Sequence, residues 1–227
     1  MPELVPRPFA AAIAGRRSLS RDTFELRLNR PPDFSFTPGQ FIRLIAAGEA
    51  GVVQERDYSL ISIPSDPEIG LLIRDTGTGR FSSFLGAAEP GTLLQFTGPH
   101  GYFTYRETGR PAVFVATGTG LAPFVSMARS GVTGFLLLHG VRAASDLYYE
   151  SLFRNHPCRY VPCLSGGGTV DACPEAFHGR VTAYMEDRLL SGEYDFYLCG
   201  RGEMIREATL LIDDRFPGSR VYSEMFY

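Results

Sequence analysis

The stretch AVFVATGTGLAP, residues Ala112–Pro123, decides the architecture. AVFVAT is apolar without interruption, so a strand here is buried on both faces. Gly118-Thr119-Gly120 then breaks the strand, and Pro123 falls in the first turn of the helix expected next. A glycine turn between a buried strand and a helix is where open α/β sheets bind ligands, at the carboxyl ends of their strands. The pattern is not G-x-G-x-x-G, because Pro123 stands at the last glycine position.

Three further strands of the same kind follow: FLLLHG (135–140), RYVPCL (159–164) and DFYLCG (195–200). Helices are expected over Ser145–Phe153, Arg180–Leu190 and Arg201–Phe216. Apolar strands alternating with helices predict an α/β domain on a parallel sheet covered on both faces.

Upstream the rhythm differs. Short alternating or β-branched runs at Ile13–Ser18, Thr23–Leu28, Phe41–Ile45, Tyr58–Ile63, Ile69–Arg74 and Leu93–Thr97 are separated by turn signals such as TPGQ and EPGT. Strands at this spacing predict a small antiparallel β-barrel, interrupted by one short helix at Ser82–Leu85. TYRETGRP (104–111) reads as a polar link. The expectation is therefore two domains, 1–106 and 107–227.

Composition narrows the chemistry. The 227 residues are 44% hydrophobic and 21% charged, with a net charge of −3, which gives no reason to expect nucleic acid as a partner. No apolar run approaches the ~20 residues of a membrane span, and MPELVPRPFA lacks the pattern of a signal peptide. A cytoplasmic protein without membrane insertion is expected. Cys158, Cys163, Cys173 and Cys199 match no zinc or iron–sulfur spacing and read as reduced thiols, so no metal is expected. All 22 basic residues are arginine. Without lysine there is no Schiff base and no G-K-[ST] phosphate loop. H-E-x-x-H and G-x-S-x-G are also absent, and the four histidines are scattered.

Three other stretches carry chemistry. In RDYSLIS (56–62), a strand would put Arg56 and Tyr58 on one face, with a guanidinium for a phosphate and a ring for an aromatic system. The alternative is a solvated arginine and a core tyrosine. GTGRFSSFL (77–85) is a glycine turn opening a helix, which offers N–H donors to a phosphate, although Ser82 can equally be a helix cap. In FYLCGRGEM, Cys199 closes the fourth strand, either as a small buried hydrophobe or facing the ligand of Gly118–Gly120.

In this order, Arg56-x-Tyr58-Ser59, Gly79-Arg80-Phe81-Ser82, GPHGYF (98–103), GTGLAP (118–123), HGVR (139–142) and CGRGEM (199–204) resemble the ferredoxin–NADP(H) reductase superfamily, bacterial type, over nearly the whole chain. The resemblance implies an FAD-binding barrel followed by a pyridine-nucleotide domain. It assigns Arg56 to an FAD phosphate, and Tyr58 and Ser59 to the ribityl chain and isoalloxazine. It assigns Gly79, Arg80, Phe81 and Ser82 to the pyrophosphate. Thr117, Gly118, Thr119 and Gly120, with Cys199, go to the nicotinamide side.

The final stretch SEMFY (223–227), which is too apolar for a loose tail, then has a ligand. Phe226 would cover the isoalloxazine, Tyr227 would reach toward adenine, and Glu224 would tune the flavin or move a proton. A hydrophobic plug at the sheet edge is the plainer alternative. Ser59, Cys199 and Glu224 are the implied catalytic set.

The implied activity is hydride transfer between NADP(H) and FAD, with single electrons passed to a separate ferredoxin or flavodoxin. Such acidic partners would be steered by arginines such as Arg16, Arg17, Arg80 and Arg106. For the 2′-phosphate, Arg142 and Arg180 match arginines of bacterial relatives. Gly166 stands where a further arginine is often found, leaving Ser165 as a donor. NADP(H) is expected ahead of NAD(H). The rival readings are an NADH-dependent flavin reductase, a flavoprotein relay subunit of a multicomponent oxygenase, and a cofactor-free interaction module.

Overall fold

The computed structural model describes residues 8–47, 53–77, 79–166 and 173–226. They divide into two compact units between Thr104 and Tyr105. No helix among the described residues is long and apolar enough to cross a membrane.

The first unit holds β1 (Phe9–Ser18), β2 (Thr23–Asn29), β3 (Phe41–Ala47), β4 (Val53–Ser59), β5 (Glu68–Arg74), α1 (Arg80–Ala87) and β6 (Leu93–His100). The strands form one antiparallel sheet in the order β4-β3-β6-β1-β2-β5. Its two edges meet where Leu60 bridges Leu71 and the Ile61 N–H donates to Gly70 O at 2.9 Å, which closes the sheet into a barrel. Alternation along β2 sends Leu26 and Leu28 inward, where they meet Ile42, Leu44, Leu71 and Phe96. Phe34 packs edge-on against Phe9 and Phe96.

The fourth strand is displaced from its expected span, while β1 begins earlier and β6 ends later than expected. Tyr58–Ile63 was to be the fourth strand, but β4 runs earlier, through polar VQERDYS. Its ladder with β3 is secured across the sheet, where Arg43 takes Asp57 in a two-bond fork at 2.7 and 2.9 Å and Glu55 at 3.7 Å. Beyond Ser59 the chain leaves β3 and crosses to β5.

The second unit holds β7 (Ala112–Thr117), a 3₁₀ turn (Gly118–Leu121), α2 (Ala122–Arg129), β8 (Leu136–Val141), a 3₁₀ turn (Ala144–Asp146), α3 (Glu150–Arg154), β9 (Arg159–Leu164), β10 (Phe177–His178), α4 (Val181–Arg188), β11 (Asp195–Arg201), α5 (Gly202–Arg215) and β12 (Arg220–Phe226). All its strands are parallel, in the order β10-β9-β8-β7-β11-β12. Val113, Val115, Phe196 and Leu198 bury one face under α4 and α5. On the other face Phe114 stacks on Phe124 of α2, with ring centroids 4.7 Å apart.

The single helix expected over Ser145–Phe153 is instead a 3₁₀ turn and the short α3, parted at Tyr149, whose φ of 59° is left-handed. The end stretch is not a loose tail: Arg220–Phe226 forms edge strand β12 beside β11. The polar link is also fastened to its own unit. The Arg106 N–H donates to the Tyr197 hydroxyl at 3.0 Å, Thr108 donates to Asp195, and Arg110 pairs with Glu193 at 2.9 Å.

Candidate functional site

In the first unit, the end of β4 and the start of α1 come together. Tyr58, half-buried against the barrel core, lies parallel to Phe81 of α1 with centroids 6.4 Å apart. RDYS and GRFS, more than twenty residues apart in sequence, thus share one place. Burial pushes the Tyr58 hydroxyl well above the usual phenol range, so it stays a neutral donor. Arg56 is exposed and donates to its neighbour's carbonyl, Glu55 O, at 2.7 Å. Ser59 is buried. Gly79 is the N-cap of α1 and supplies no side-chain cap, while Arg80 is exposed.

Asp75 organises this turn, and the motif reading missed it. Its carboxylate accepts the Gly77 N–H at 3.0 Å and the Ser82 and Ser83 hydroxyls at 3.1 and 2.9 Å. These bonds, Gly77 first, hold it below the usual carboxylate range. Ser82 is therefore not the helix cap; it stands inside α1 and also donates to Gly79 O. An aspartate two residues before a glycine is an Asx-turn signal that was available in the sequence.

In the second unit the sheet order reverses between β7 and β11, the topological switch point of an open α/β sheet. The two strand ends interlock there. The Arg201 N–H donates to Thr117 Oγ1 at 3.1 Å. A Cβ on Gly120 would collide with the Cys199 carbonyl, and one on Gly200 with Thr117 Oγ1. Gly118 and Gly200 also have positive φ, at 55° and 139°. The glycines at the switch point are therefore required by the close packing of the two strand ends on each other. Thr119 lies in the same 3₁₀ turn.

Cys199 is completely buried, and desolvation, with Glu224 adding, pushes its thiol well above its usual value. It stands in register with Glu224 of β12. Arg201, the next register position but one, pairs with Phe226 in the ladder. The Phe226 side chain and Tyr227 lie outside the described residues.

At the carboxyl ends of the next two strands, Arg142 follows β8 and is exposed, and Ser165 follows β9. Ser165 gives both its N–H and its hydroxyl to Val141 O, at 3.0 and 3.2 Å. Arg180 immediately precedes α4 and reaches Glu207 at 3.5 Å. The Gly166 N–H donates to Arg142 O at 2.9 Å, and a Cβ there would strike that carbonyl. This backbone path thus excludes the arginine looked for at that position.

Of the arginines considered for steering a partner, Arg17 is paired with Glu25 at 2.7 Å. Arg16 lies over Phe24 and Arg106 over Tyr222. His139 opens the HGVR motif without a role of its own assigned to it. It is fully buried, with Nδ1 3.0 Å from the Tyr160 hydroxyl and Nε2 without a partner among the described residues. Burial lowers its pKa to about 3, which makes it a neutral ring rather than a proton carrier at pH 7. No cluster of three or more metal-ligating side chains occurs among the described residues.

Family models match both units: an oxidoreductase FAD-binding domain over residues 10–105 and an oxidoreductase NAD-binding domain over residues 114–209. The chain is 34% identical to the toluate 1,2-dioxygenase electron transfer component of Pseudomonas putida, over 90% of this chain and 63% of that protein. It is 38% identical to ferredoxin–NADP reductase B of Sorangium cellulosum, over 71% of each. It is 31% identical to the ferredoxin–NAD(P)(+) reductase component of the Pseudomonas putida naphthalene 1,2-dioxygenase system, over 99% of this chain and 72% of that one. Among solved structures, an Amycolatopsis cytochrome P450 reductase superposes with a TM-score of 0.84 at 31% identity, covering 97% of this chain and 70% of the other. A ferredoxin NADP+ reductase from Neisseria gonorrhoeae with bound FAD and NADP gives 0.85, covering 98% and 100%; at 18% identity it speaks for the fold alone.

Proposed function

The chain belongs to the ferredoxin–NADP(H) reductase superfamily of FAD- and pyridine-nucleotide-dependent oxidoreductases, and from that premise we propose that it moves electrons between NADP(H) and a small one-electron carrier, a ferredoxin or flavodoxin. The observation that carries this reading is the topological switch point between β7 and β11, with Gly118–Gly120 and Gly200 at the strand ends. It fits a dinucleotide whose nicotinamide must approach the protein closely.

The residues of the first unit suit FAD. Arg56 offers a planar cation to a phosphate, and the start of α1, set by Gly79 and Asp75, offers N–H donors for Gly79, Arg80, Phe81 and Ser82 to present to the pyrophosphate. Tyr58 presents a ring and a neutral hydroxyl to the ribityl chain and isoalloxazine, and buried Ser59 a second hydroxyl. Bound FAD supplies two-electron exchange with the nicotinamide and one-electron exchange with a carrier.

The chain's own part is to orient and to exclude water. Gly118–Gly120 are assigned to the nicotinamide end, with the buried Cys199 packed behind them. The Cys199 thiol stays protonated at neutral pH and acts as a small dry wall rather than a base. Glu224, half-buried beside it, is the group suited to exchanging a proton with solvent. Phe226 and Tyr227 are assigned to the flavin and its adenine. Arg142 and Arg180 are assigned to the adenosine 2′-phosphate, which favours NADP(H) over NAD(H), and Ser165 joins them only by giving up its hydroxyl bond to Val141 O.

A second reading has its own support. Several relatives are named as reductase or electron transfer components of oxygenases, among them the toluate and naphthalene dioxygenase systems. On that reading the acceptor is an oxygenase component and the donor can be NADH. The chain spans 63% of the toluate component's length, so that protein's activity is a proposal here.

The first test is the visible spectrum of the anaerobic protein before and after one equivalent of NADPH, then of NADH. A yellow protein bleached by NADPH supports the main reading. Bleaching by NADH alone favours the oxygenase reading. A colourless protein that takes up no FAD overturns both.

A further inference from the structure

A small hydrophobic cluster lies apart from the main cores of the second unit. Val141, Leu164, Cys173 and Ala176 form it, with Ala144 and Leu147 packed against them. Two of its members directly precede residues assigned to the 2′-phosphate: Val141 precedes Arg142, and Leu164 precedes Ser165. The third assigned residue is tied in through backbone, since the Gly179 N–H donates to Leu164 O at 2.9 Å and Arg180 follows Gly179. Ser165 and Gly166 in turn donate to Val141 O and Arg142 O. The three phosphate candidates therefore hang from one patch of backbone, and this cluster is its floor.

One side chain fastens that floor from outside. The Arg154 guanidinium, at the end of α3, takes Glu150 at 2.8 Å, Glu175 at 2.5 Å and the Cys173 sulfur at 3.8 Å. Glu150 is one turn back on its own helix, but Cys173 and Glu175 begin the segment that returns through Ala176 and β10 to Arg180. A planar fork suits several acceptors at once, as a point-charge ammonium does not. Arg154 itself is not among the residues assigned to the nucleotide.

We infer that Arg154 is a positioning residue for the 2′-phosphate end of the nucleotide, holding the Cys173–Arg180 segment so that Arg180 shares a site with Arg142 and Ser165. The inference rests on the NADP(H) reading above. It gives the chain a specificity determinant outside the phosphate-contacting residues, on α3.

The test uses the full-length holoprotein and two probes without nicotinamide, adenosine 2′,5′-bisphosphate and adenosine 5′-monophosphate, titrated by calorimetry. Arg154→Ala should weaken the bisphosphate by about fivefold to tenfold and move the monophosphate by no more than about twofold. Arg154→Lys should recover part of the loss. Glu175→Gln, which removes one exposed carboxylate, should narrow the preference in the same direction and serves if Arg154→Ala fails to fold. An unchanged ratio in Arg154→Ala or Glu175→Gln, with Arg142→Ala narrowing it, overturns the inference while leaving the NADP(H) reading standing. Wild-type protein that binds both probes equally overturns that reading and the inference together.

Discussion

Cys199 and Glu224 stand in register on the adjacent parallel strands β11 and β12, so a fully buried thiol lies beside a half-buried carboxylate at the carboxyl edge of the sheet. Burial and the neighbouring charge both oppose thiolate formation. Iodoacetamide at pH 8 should therefore leave Cys199 unmodified in the folded protein and label it only after denaturation, as read by peptide mass spectrometry. Rapid labelling of the native protein would contradict a dry wall at this position.

The glycines at the switch point are fixed by backbone on the other side. Gly120→Ala pushes a methyl into the Cys199 carbonyl, and Gly200→Ala pushes one into Thr117 at a φ of 139°. Each should destabilise the second unit by about 1–3 kcal/mol. Urea denaturation should show a lower midpoint with an unchanged slope, and nucleotide affinity should fall with it.

His139 gives the fold an acid-sensitive point. Its folded-state pKa of about 3 lies below the ordinary 6.5, so between those values the unfolded chain binds a proton that the folded chain refuses. Its contribution to stability is complete above pH 6.5 and is lost as the pH falls toward 3, at up to about 1.4 kcal/mol per pH unit. Tyr160, which hydrogen-bonds the ring, is itself held well above the usual phenol range by burial. His139→Gln should flatten the dependence of the urea midpoint on pH between 7 and 5.

Arg56 is exposed, donates to its neighbour's carbonyl and acts on Tyr58 only through its charge, so removing it should leave the barrel standing. Arg56→Ala should keep its melting temperature as apoprotein and weaken FAD by about tenfold to a hundredfold, the worth of a charge-assisted bond. Fluorescence of FAD released on dilution reads this directly. Tight retention would remove Arg56 from the phosphate.

Phe226 is assigned to the isoalloxazine. Phe226→Ala should alter the flavin absorption band and change NADPH-to-NADH discrimination, with no loss of the β12 ladder, which is made by backbone. Unchanged spectra and unchanged nucleotide kinetics would return this residue to a sheet-edge role.

The parts of the fold that were legible in advance are those whose burial leaves a continuous local mark. AVFVAT and RYVPCL coincide with Ala112–Thr117 and Arg159–Leu164, because a strand covered on both faces must be apolar at nearly every position. The glycine turns announced themselves for the same reason, since only a missing side chain lets Gly120 meet the Cys199 carbonyl. β4 left no such mark. VQERDYS is mostly polar, and what secures it is Arg43 on another strand.

The candidate site divides in the same way. Sequence by itself determined which residue types are present: arginines without lysine, glycine-rich turns after strands, a cysteine closing β11, and the order of motifs that identifies the family. Tertiary structure alone decided which of them meet. It set Tyr58 against Phe81, placed Cys199 in register with Glu224, gave Asp75 the turn before α1, and tied Arg154 to Cys173 and Glu175. The physical reason is range. Backbone propensity and burial period act over a few residues and are written locally, whereas a ladder register or a forked ion pair joins residues up to tens of positions apart and exists only once the chain has closed on itself.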